Sequence, residues 1–375
     1  MSQSADVIVL GAGAAGCATA YYLAREGVRV RVVEREAIAS RASGMAAGLL
    51  APLTGTGVPG LMQYVMEAGL KMHRKMWPAL QEEADVDIQA RMVPHLELFM
   101  DEEEIHDRQE EMWRWSHAAG YSTQWLEPED LQRLEPRIST DVRGAMLLDS
   151  VGILDSYRYT LALAQAAERH GAEFLNGEAI GLDTDGARVT GVRFERGEMA
   201  CDTVVVAMGP WAGRAFGWLG IDVSVEPLKG QMFYLEGLDP PLQYRLHGPC
   251  AVMQKLDGLM SIGATMERAG FDDNPTVEVR DLLMGKALRM LPCLEQQGFV
   301  RQTACLRPVS PDRHPILGRA PGWDGVYLAA APEAQGILIS PVIGQAMADL
   351  ILRGETSMPI APFTVERFMQ RSVAI

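Results

Sequence analysis

Two short stretches at opposite ends of the chain hold residues that could do chemistry. Near the C-terminal end, ACLRPVSPDRHPILG (304–318) sets Cys305 two residues before Arg307, then places prolines at 308, 311 and 315. Proline fixes φ and removes a backbone donor, so the segment is stiff, excluded from regular helix and disfavoured in a central strand. A guanidinium held stiffly offers a carboxylate two parallel charge-assisted hydrogen bonds, where a lysine would offer a point charge. Cys305 reads either as a small buried apolar residue or as a thiol able to form a covalent bond.

Near the N-terminus, the apolar run ADVIVL (5–10) is followed by Gly11-Ala12-Gly13-Ala14-Ala15-Gly16, then CATAYYLAREG, then VRVRVVE (28–34) ending on Glu34. This order predicts strand, glycine turn, helix, strand and acidic residue. Gly11 permits a tight turn, Gly13 lets backbone approach a pyrophosphate, and Gly16 lets helix and strand pack closely. The helix N-terminus offers amide donors and a partial positive charge to phosphate. Glu34 sits where a carboxylate can accept from ribose hydroxyls. The motif in this context predicts a dinucleotide site. After Glu34 and Arg35, the small-residue stretch SRASGMAAGLLAPL (40–53) predicts a loop whose amides could lie against a flat ring system.

Other elements must position these two stretches. Helical patterns cover 60–83, 101–119, 156–170 and 276–291. A hairpin is predicted over 178–199, turning at GARVTG, with a buried strand at 203–208. Residues 221–265 read as strand-rich, with LDG marking a turn. VYLAAA predicts a short strand, and the Gly-bearing turn Pro332–Gly336 leads into a helix through ILISPVIGQAMADLILRG. That is a second strand-to-helix N-terminus, able to aim its dipole at electron-rich atoms.

The 375 residues suffice for two or three cores, and 48% are hydrophobic. The net charge of −15, without any Lys/Arg block, argues against nucleic acid. The acidic run DEEEIHDRQEE (101–111) lacks the glycine and spacing of a cation loop, and no metal site is read. Five scattered cysteines without a CxxC pair point to a reducing cytoplasm. No apolar run of roughly 18 residues predicts a membrane span, and the N-terminal apolar run reads as a strand and not a signal peptide.

Together these stretches resemble the FAD-dependent D-amino acid oxidase superfamily, in its glycine oxidase and sarcosine oxidase branch. VIVLGAGAAGCATAYYLAREGVRVRVVERE is similar to its FAD motif, and RASGMAAGLLAP to the loop under its flavin. GAEFLNGEAIGL (171–182) and DTVVVAMGPWAG (202–213) resemble its second FAD-contacting unit, and GLMSIGATME (258–267) a substrate-domain strand. LRPVSPDRHPILG and GVYLAAAPEAQGILISPVIGQAMADLI (325–351) resemble its C-terminal signature. The likeness covers most of the chain and is weakest over 60–145.

The resemblance implies an α/β protein. A Rossmann-type FAD-binding domain of the GR2-like kind would comprise 1–84, 147–220 and 301–375, with an inserted, mostly antiparallel substrate domain from 85–146 and 221–300. It assigns FAD to Gly11, Gly13, Ala14, Ala15, Gly16, Glu34, Arg35, Ser43, Ala46, Ala47, Gly48, Leu49, Ile180, Ala207, Gly209 and Trp211. From the C-terminal half it adds Cys305, Arg307, Ala334, Gln335, Gly336 and Ile337. Arg307 is implied as the clamp for a substrate carboxylate, and Met266 as a pocket methionine. Cys305 occupies the place where sarcosine oxidases tether the flavin, whereas glycine oxidases bind FAD without a bond, and non-covalent FAD is the favoured reading. The sequence departs from glycine oxidases at two carboxylate contacts: Ala251 stands where they carry a tyrosine, and Ala334 where they carry an arginine. Tyr244, His247 or Tyr64 are the nearby substitutes, and a substrate larger or less polar than glycine is implied.

The implied activity is oxidation of the CH–NH group of a small amino acid or secondary amine, by hydride transfer to flavin N5, with O2 as acceptor and imine and H2O2 as products. A dehydrogenase passing electrons from a D-amino acid or hydroxy acid to a quinone or carrier is the alternative. A tRNA-modifying oxidoreductase is opposed by the charge, and a non-catalytic flavoprotein by Arg307. An NAD-dependent dehydrogenase leaves the C-terminal unit unexplained. Neither a nucleic acid nor a membrane is expected as a partner, and a homo-oligomer is left open.

Overall fold

In a computed structural model, the structure describes residues 5–53, 58–103, 105, 114, 116–117 and 120–369. The chain divides into two compact units. One comprises Met1–Ile88, Asp155–Leu228 and Leu306–Ile375; the other comprises Gln89–Leu154 and Lys229–Cys305.

The first unit is built on a largely parallel sheet. Its strands run in the order Ile316–Arg319, Val326–Ala330, Glu198–Val206, Ala5–Leu10, Val30–Glu34 and Glu173–Asn176. The strand Ala5–Leu10 lies between two parallel neighbours, Val9 pairing with Val205 on one side and Val32 on the other. Its near-continuous apolar burial is what a strand covered on both faces requires. Ile316–Arg319, at one edge, runs antiparallel to its neighbour. The predicted hairpin forms as Ala179–Asp185 and Arg188–Phe194, the latter pairing with Glu198–Val206.

Helices Ala14–Arg25, Leu61–Glu83, Ser156–Arg169 and Gly336–Arg353 pack together in this unit. Glycines make the contacts close. A Cβ on Gly344 would lie 2.6 Å from the Ala18 backbone, and one on Gly69 would lie 2.3 Å from the Leu338 carbonyl oxygen. By length and composition Glu333–Arg353 could cross a membrane, with a mean hydropathy of 1.4, but 67% of that stretch is buried within the protein. It reads as a core helix whose polar residues, Gln335, Ser340, Gln345 and Asp349 among them, broke the apolar run in the sequence.

That helix contains Pro341, which has no N–H to give the carbonyl four residues back, Ile337. The freed oxygen accepts instead from His73 Nε2 at 2.9 Å and from Ser340 Oγ at 2.8 Å. Burial pushes the His73 imidazole down to about 4, so it serves as a neutral donor.

The second unit carries a mostly antiparallel sheet with strands in the order Phe299–Val309, Glu226–Leu235, Met260–Gly263, Ala251–Gln254, Arg245–His247, Arg91–Phe99 and Gly144–Ile153. Thr123–Leu126 pairs with the last of these. The exception is Arg245–His247, which runs parallel to Arg91–Phe99. One face of the sheet packs an apolar core with residues of the helices Val277–Met290 and Pro128–Leu134, including Leu96, Phe233, Leu246, Val252, Ile262 and Leu283. The helix predicted over 101–119 lies largely outside the described residues.

The proline-bearing stretch around Arg307 belongs to the strand Phe299–Val309. It is an eleven-residue strand that ends just after Pro308. It stands at the sheet edge, where a residue lacking a donor can be tolerated.

Candidate functional site

The glycine turn takes the shape its spacing requires. Gly11 has φ +105°, which a side chain would resist, and a Cβ there would sit 2.4 Å from the Ala207 carbonyl oxygen. A Cβ on Gly16 would sit 2.0 Å from the Gly11 carbonyl oxygen. The backbone of Ala207 runs beside the turn, its N–H donating to Leu10 O at 2.9 Å. Gly13 leads the helix Ala14–Arg25, which has no acidic residue in its first turn and no side-chain cap from Gly13 itself. Its positive end therefore suits an anion. The carbonyl of Ala15, in the first turn, accepts from Thr19 Oγ1 at 2.8 Å one turn further along the helix.

Glu34 ends its strand beside this turn. Its carboxylate accepts from Ala12 N at 2.9 Å and from Glu36 N at 3.0 Å. A carboxylate has about four acceptor sites, so two such bonds still leave capacity for a ribose diol. The small-residue stretch is more ordered than a plain loop. It forms a short helix, Ala42–Met45, then Leu49–Leu50 as a strand. Ser43 Oγ accepts from Ala14 N at 2.9 Å, laying this segment over the helix start. Ala46 O accepts from Ser156 Oγ at 2.8 Å, and Ala47 and Gly48 complete the turn, Gly48 with φ +74°. The Arg35 guanidinium stacks 4.0 Å from the Trp211 ring centroid, just after Gly209 at φ +54°. Ile180 is exposed.

In the same unit, the turn before Gly336–Arg353 holds two non-glycine residues at positive φ, Ala331 at +52° and Glu333 at +47°. Such conformations persist where surrounding structure imposes them. Here buried Glu333 accepts a close ion pair from Arg313, and Gln335 N donates to Pro332 O at 3.0 Å. Ala334 is exposed, while Gly336 and Ile337 open the helix.

Along Phe299–Val309 burial alternates. Ala304, Leu306 and Pro308 are buried, and Cys305 and Arg307 are half-buried on the opposite face. All five cysteines are free thiols.

The second unit's sheet presents a different face opposite its core. Strand register sets His247 across from Ala251, Ala251 across from Gly263, and Gly263 across from Met232. His247 thus lies beside Ala251, the position where the resemblance led one to look for a tyrosine. Tyr244 is elsewhere. It packs against the apolar core with Leu246, whereas Arg245 and His247 alternate to the other side. Burial raises the Tyr244 phenol. Met266 is 58% exposed, just beyond Met260–Gly263, and Tyr64 is exposed on Leu61–Glu83.

Three residues of this face were missed from sequence. His247 Nδ1 lies 2.9 Å from both Glu97 oxygens, and His95 Nε2 lies 3.2 Å from Glu97 Oε2. Arg245 Nη1 lies 2.9 Å from His95 Nδ1. Desolvation of the buried Glu97 carboxyl opposes ionisation, but donation from His247 and His95 outweighs it and holds the group well below the ordinary carboxylate range. Desolvation and then the Arg245 charge push His95 down to about 4. The signal available was alternation: His-Leu-Glu at 95–97 and Arg-Leu-His at 245–247 each place polar residues on one strand face.

Known proteins bear on this geometry. Residues 6–350 match the DAO family model, described as FAD dependent oxidoreductase. The chain is 31% identical to a glycine oxidase of Geobacillus kaustophilus over 98% of each chain. It is 29% identical to hydrogen cyanide synthase subunit HcnC of Pseudomonas aeruginosa, over 100% of this chain and 99% of the other. A crystal structure of glycine oxidase from Geobacillus kaustophilus superposes with a TM-score of 0.93 at 29% identity, covering 97% of this chain and 99% of that one.

Proposed function

The chain belongs to the DAO family of FAD-dependent oxidoreductases, and we propose that it oxidises the CH–NH group of a small amino acid or secondary amine, with O2 as acceptor and imine and H2O2 as products. The observation that carries this reading is the half-buried Arg307 on an edge strand, in a chain that also forms a tight glycine turn ahead of its first helix.

The first unit, in its three segments, is the FAD-binding domain in this proposal, and the second is the substrate domain. Gly11, Gly13, Ala14, Ala15 and Gly16 would hold the pyrophosphate and Glu34 the ribose, with Arg35, Ser43, Trp211, Ile180, Ala207 and Gly209 around them. Ala46, Ala47, Gly48 and Leu49 would lie along the ring system. Ala334, Gln335, Gly336 and Ile337 would present a helix's positive end to its electron-rich edge. FAD, when bound, supplies the hydride acceptor. The chain's own task is to bind the substrate carboxylate through Arg307, orient the carbon beside nitrogen, and exclude water. Met266 would line the substrate's apolar side. The five free thiols support a cytoplasmic setting.

An anaerobic screen of glycine, sarcosine, D-amino acids, N-substituted amino acids and hydroxy acids tests the reading. At least one amine member is expected to bleach the flavin absorbance. Bleaching by hydroxy acids alone, or by none, would overturn it. Admitting air should then yield peroxide; its absence would favour a carrier as acceptor.

FAD is held without a covalent bond in this proposal, Cys305 serving as a small strand residue. Acid precipitation should leave the yellow colour in the supernatant. Colour in the protein pellet, lost in Cys305→Ala, would establish the tether instead.

A further inference from the structure

Resting on the FAD site outlined above, and on no particular substrate, we propose that Arg313 sets the reduction potential of the bound flavin by cancelling the charge of Glu333, the carboxylate in the turn that opens the helix Gly336–Arg353. The sheet of the first unit places that turn. Strands Ala5–Leu10, Glu198–Val206 and Val326–Ala330 run parallel and side by side, with Leu10, Val206 and Leu328 in one row. Their carboxyl ends therefore share one edge, and open α/β sheets bind ligands at that edge. The glycine turn follows the first of these strands, and the turn Ala331–Gln335 follows the third. Two strand spacings, about 10 Å, separate them, a distance that one dinucleotide spans.

The two helix starts at this edge differ in charge. Ala14–Arg25 has no acidic residue in its first turn, which leaves its positive end to an anion. Gly336–Arg353 has none in its own first turn either, but Glu333 lies three residues ahead of it. A helix N-terminus carries roughly half a positive charge, so a bare carboxylate there would more than cancel it. Glu333 is not bare. Arg313 Nε and Nη2 both donate to Glu333 Oε1, the former at 3.1 Å. The adjacent carboxylate, Asp312, has a cation of its own: Arg367 Nε and Nη2 donate to its two oxygens at 2.8 and 3.0 Å. Arg313 is thus committed to Glu333, and with the pair intact the helix keeps its positive end.

The backbone marks the same pair. Arg313, Ala331 and Glu333, at φ +60°, +52° and +47°, are three of the five non-glycine residues at positive φ among the described residues. Such backbone persists where surrounding structure imposes it, and it gathers at functional sites. Strand pairing brings the two segments together. Ile316 lies opposite Ala330, so the loop entering one strand and the turn leaving the other meet at one edge. Arg313 N donates to Ser310 O at 3.0 Å, and Arg367 Nη2 also donates to His314 O at 3.1 Å, which fixes the loop that carries Arg313. The Arg313 side chain is 40% exposed and that of Glu333 is 3% exposed. Removing Arg313 therefore leaves a buried negative charge, and removing Glu333 leaves a positive charge that water partly screens.

The test is the reduction potential of the flavin in the purified holoprotein, read by equilibration with reference dyes, which needs no substrate. Reduction adds negative charge to the ring, so charges at the helix start weigh on the reduced form. Arg313→Gln should lower the preference for the reduced form by about tenfold, the effect of a unit charge over roughly 10 Å at an effective dielectric of about 20. For a two-electron couple that is about 30 mV downward. Glu333→Gln should raise the preference by a smaller factor, because the charge it leaves is half in water. The double variant should return close to wild type. Arg313→Lys, which keeps the charge and loses the planar group, should also stay close to it. FAD content and thermal midpoint check folding in each. A pair that only braces the turn gives a different pattern: both single variants loosen it, so both move the potential the same way, and Arg313→Lys falls with Arg313→Gln. That pattern, or no shift in either single variant, overturns the proposal. Should Glu333→Gln fail to fold, Arg313→Gln against Arg313→Lys still decides between charge and bracing. The amine screen is separate: if no amine bleaches the flavin, the amine-oxidation reading falls, and the potentials still decide the role of Arg313.

Discussion

Replacing Arg307 with alanine is expected to raise KM for the amino acid substrate by about 100- to 1,000-fold while the purified protein keeps its FAD. Truncating one partner of a hydrogen-bonded charge pair costs roughly 2–5 kcal/mol, and about 1.4 kcal/mol corresponds to a factor of ten. The effect should fall in the upper part of that range, because Ala251 and Ala334 bring no side-chain donor to share the carboxylate. Retention of FAD follows from the many other groups proposed to hold it, Gly11–Gly16, Glu34 and Ala46–Leu49 among them, of which the substitution removes none. Arg307→Lys keeps the charge but not the planar fork, so it should restore only part of the loss. Steady-state kinetics over substrate concentration, with the flavin-to-protein absorbance ratio, measure both quantities. An unchanged KM would remove Arg307 from the substrate's carboxylate. Loss of FAD in step with KM would make it a cofactor residue instead.

What was legible in the sequence follows the length over which its signals act. The strand, turn, helix, strand and Glu34 at the N-terminus are neighbours in sequence, and each glycine answers a local steric demand visible in the spacing. The helix of residues 336–353 was legible for the same reason. The prolines around Cys305 and Arg307 told against a helix and a central strand, but not that the segment is an edge strand, which only pairing decides. Tyr244 and His247 were grouped by proximity, although strand alternation puts odd and even residues on opposite faces. The pattern offered that distinction; it did not say which face was core. The buried set His95, Glu97, Arg245 and His247 was illegible as a set. Alternation marks a polar face on each strand, but the set arises from two strands about 150 residues apart lying side by side in parallel register, a pairing that neither strand announces locally. Likewise the donation of His73 to the carbonyl freed by Pro341 joins residues 264 apart.

Gly16→Ala is expected to yield protein that purifies without FAD and is less stable by about 1–3 kcal/mol, the usual cost of overpacking. The added methyl would meet the Gly11 carbonyl oxygen at 2.0 Å and its carbon at 3.1 Å, both backbone atoms that no rotamer change can clear. Relief requires the helix Ala14–Arg25 to move off the turn by roughly the 1.5 Å that separates such a contact from an ordinary one. That displacement carries the helix N-terminus away from the pyrophosphate it is proposed to hold, so the loss in cofactor affinity should exceed the loss in stability. Gly217→Ala is the control that separates these effects. It lies exposed in the helix Ala212–Leu219, and a Cβ there meets nothing within 4 Å. It should keep full FAD and gain up to about 1 kcal/mol, since alanine is the better helix former. Gly27→Ala adds a second control: its φ of +79° is costly for a side chain, yet nothing lies within 4 Å of the new Cβ. It should lose about 1 kcal/mol of stability and no flavin. Urea titration of the three apoproteins, with FAD binding followed by fluorescence quenching, places each variant on both axes. If Gly16→Ala binds FAD as tightly as Gly27→Ala does, the close packing at residue 16 serves the sheet alone and not the cofactor.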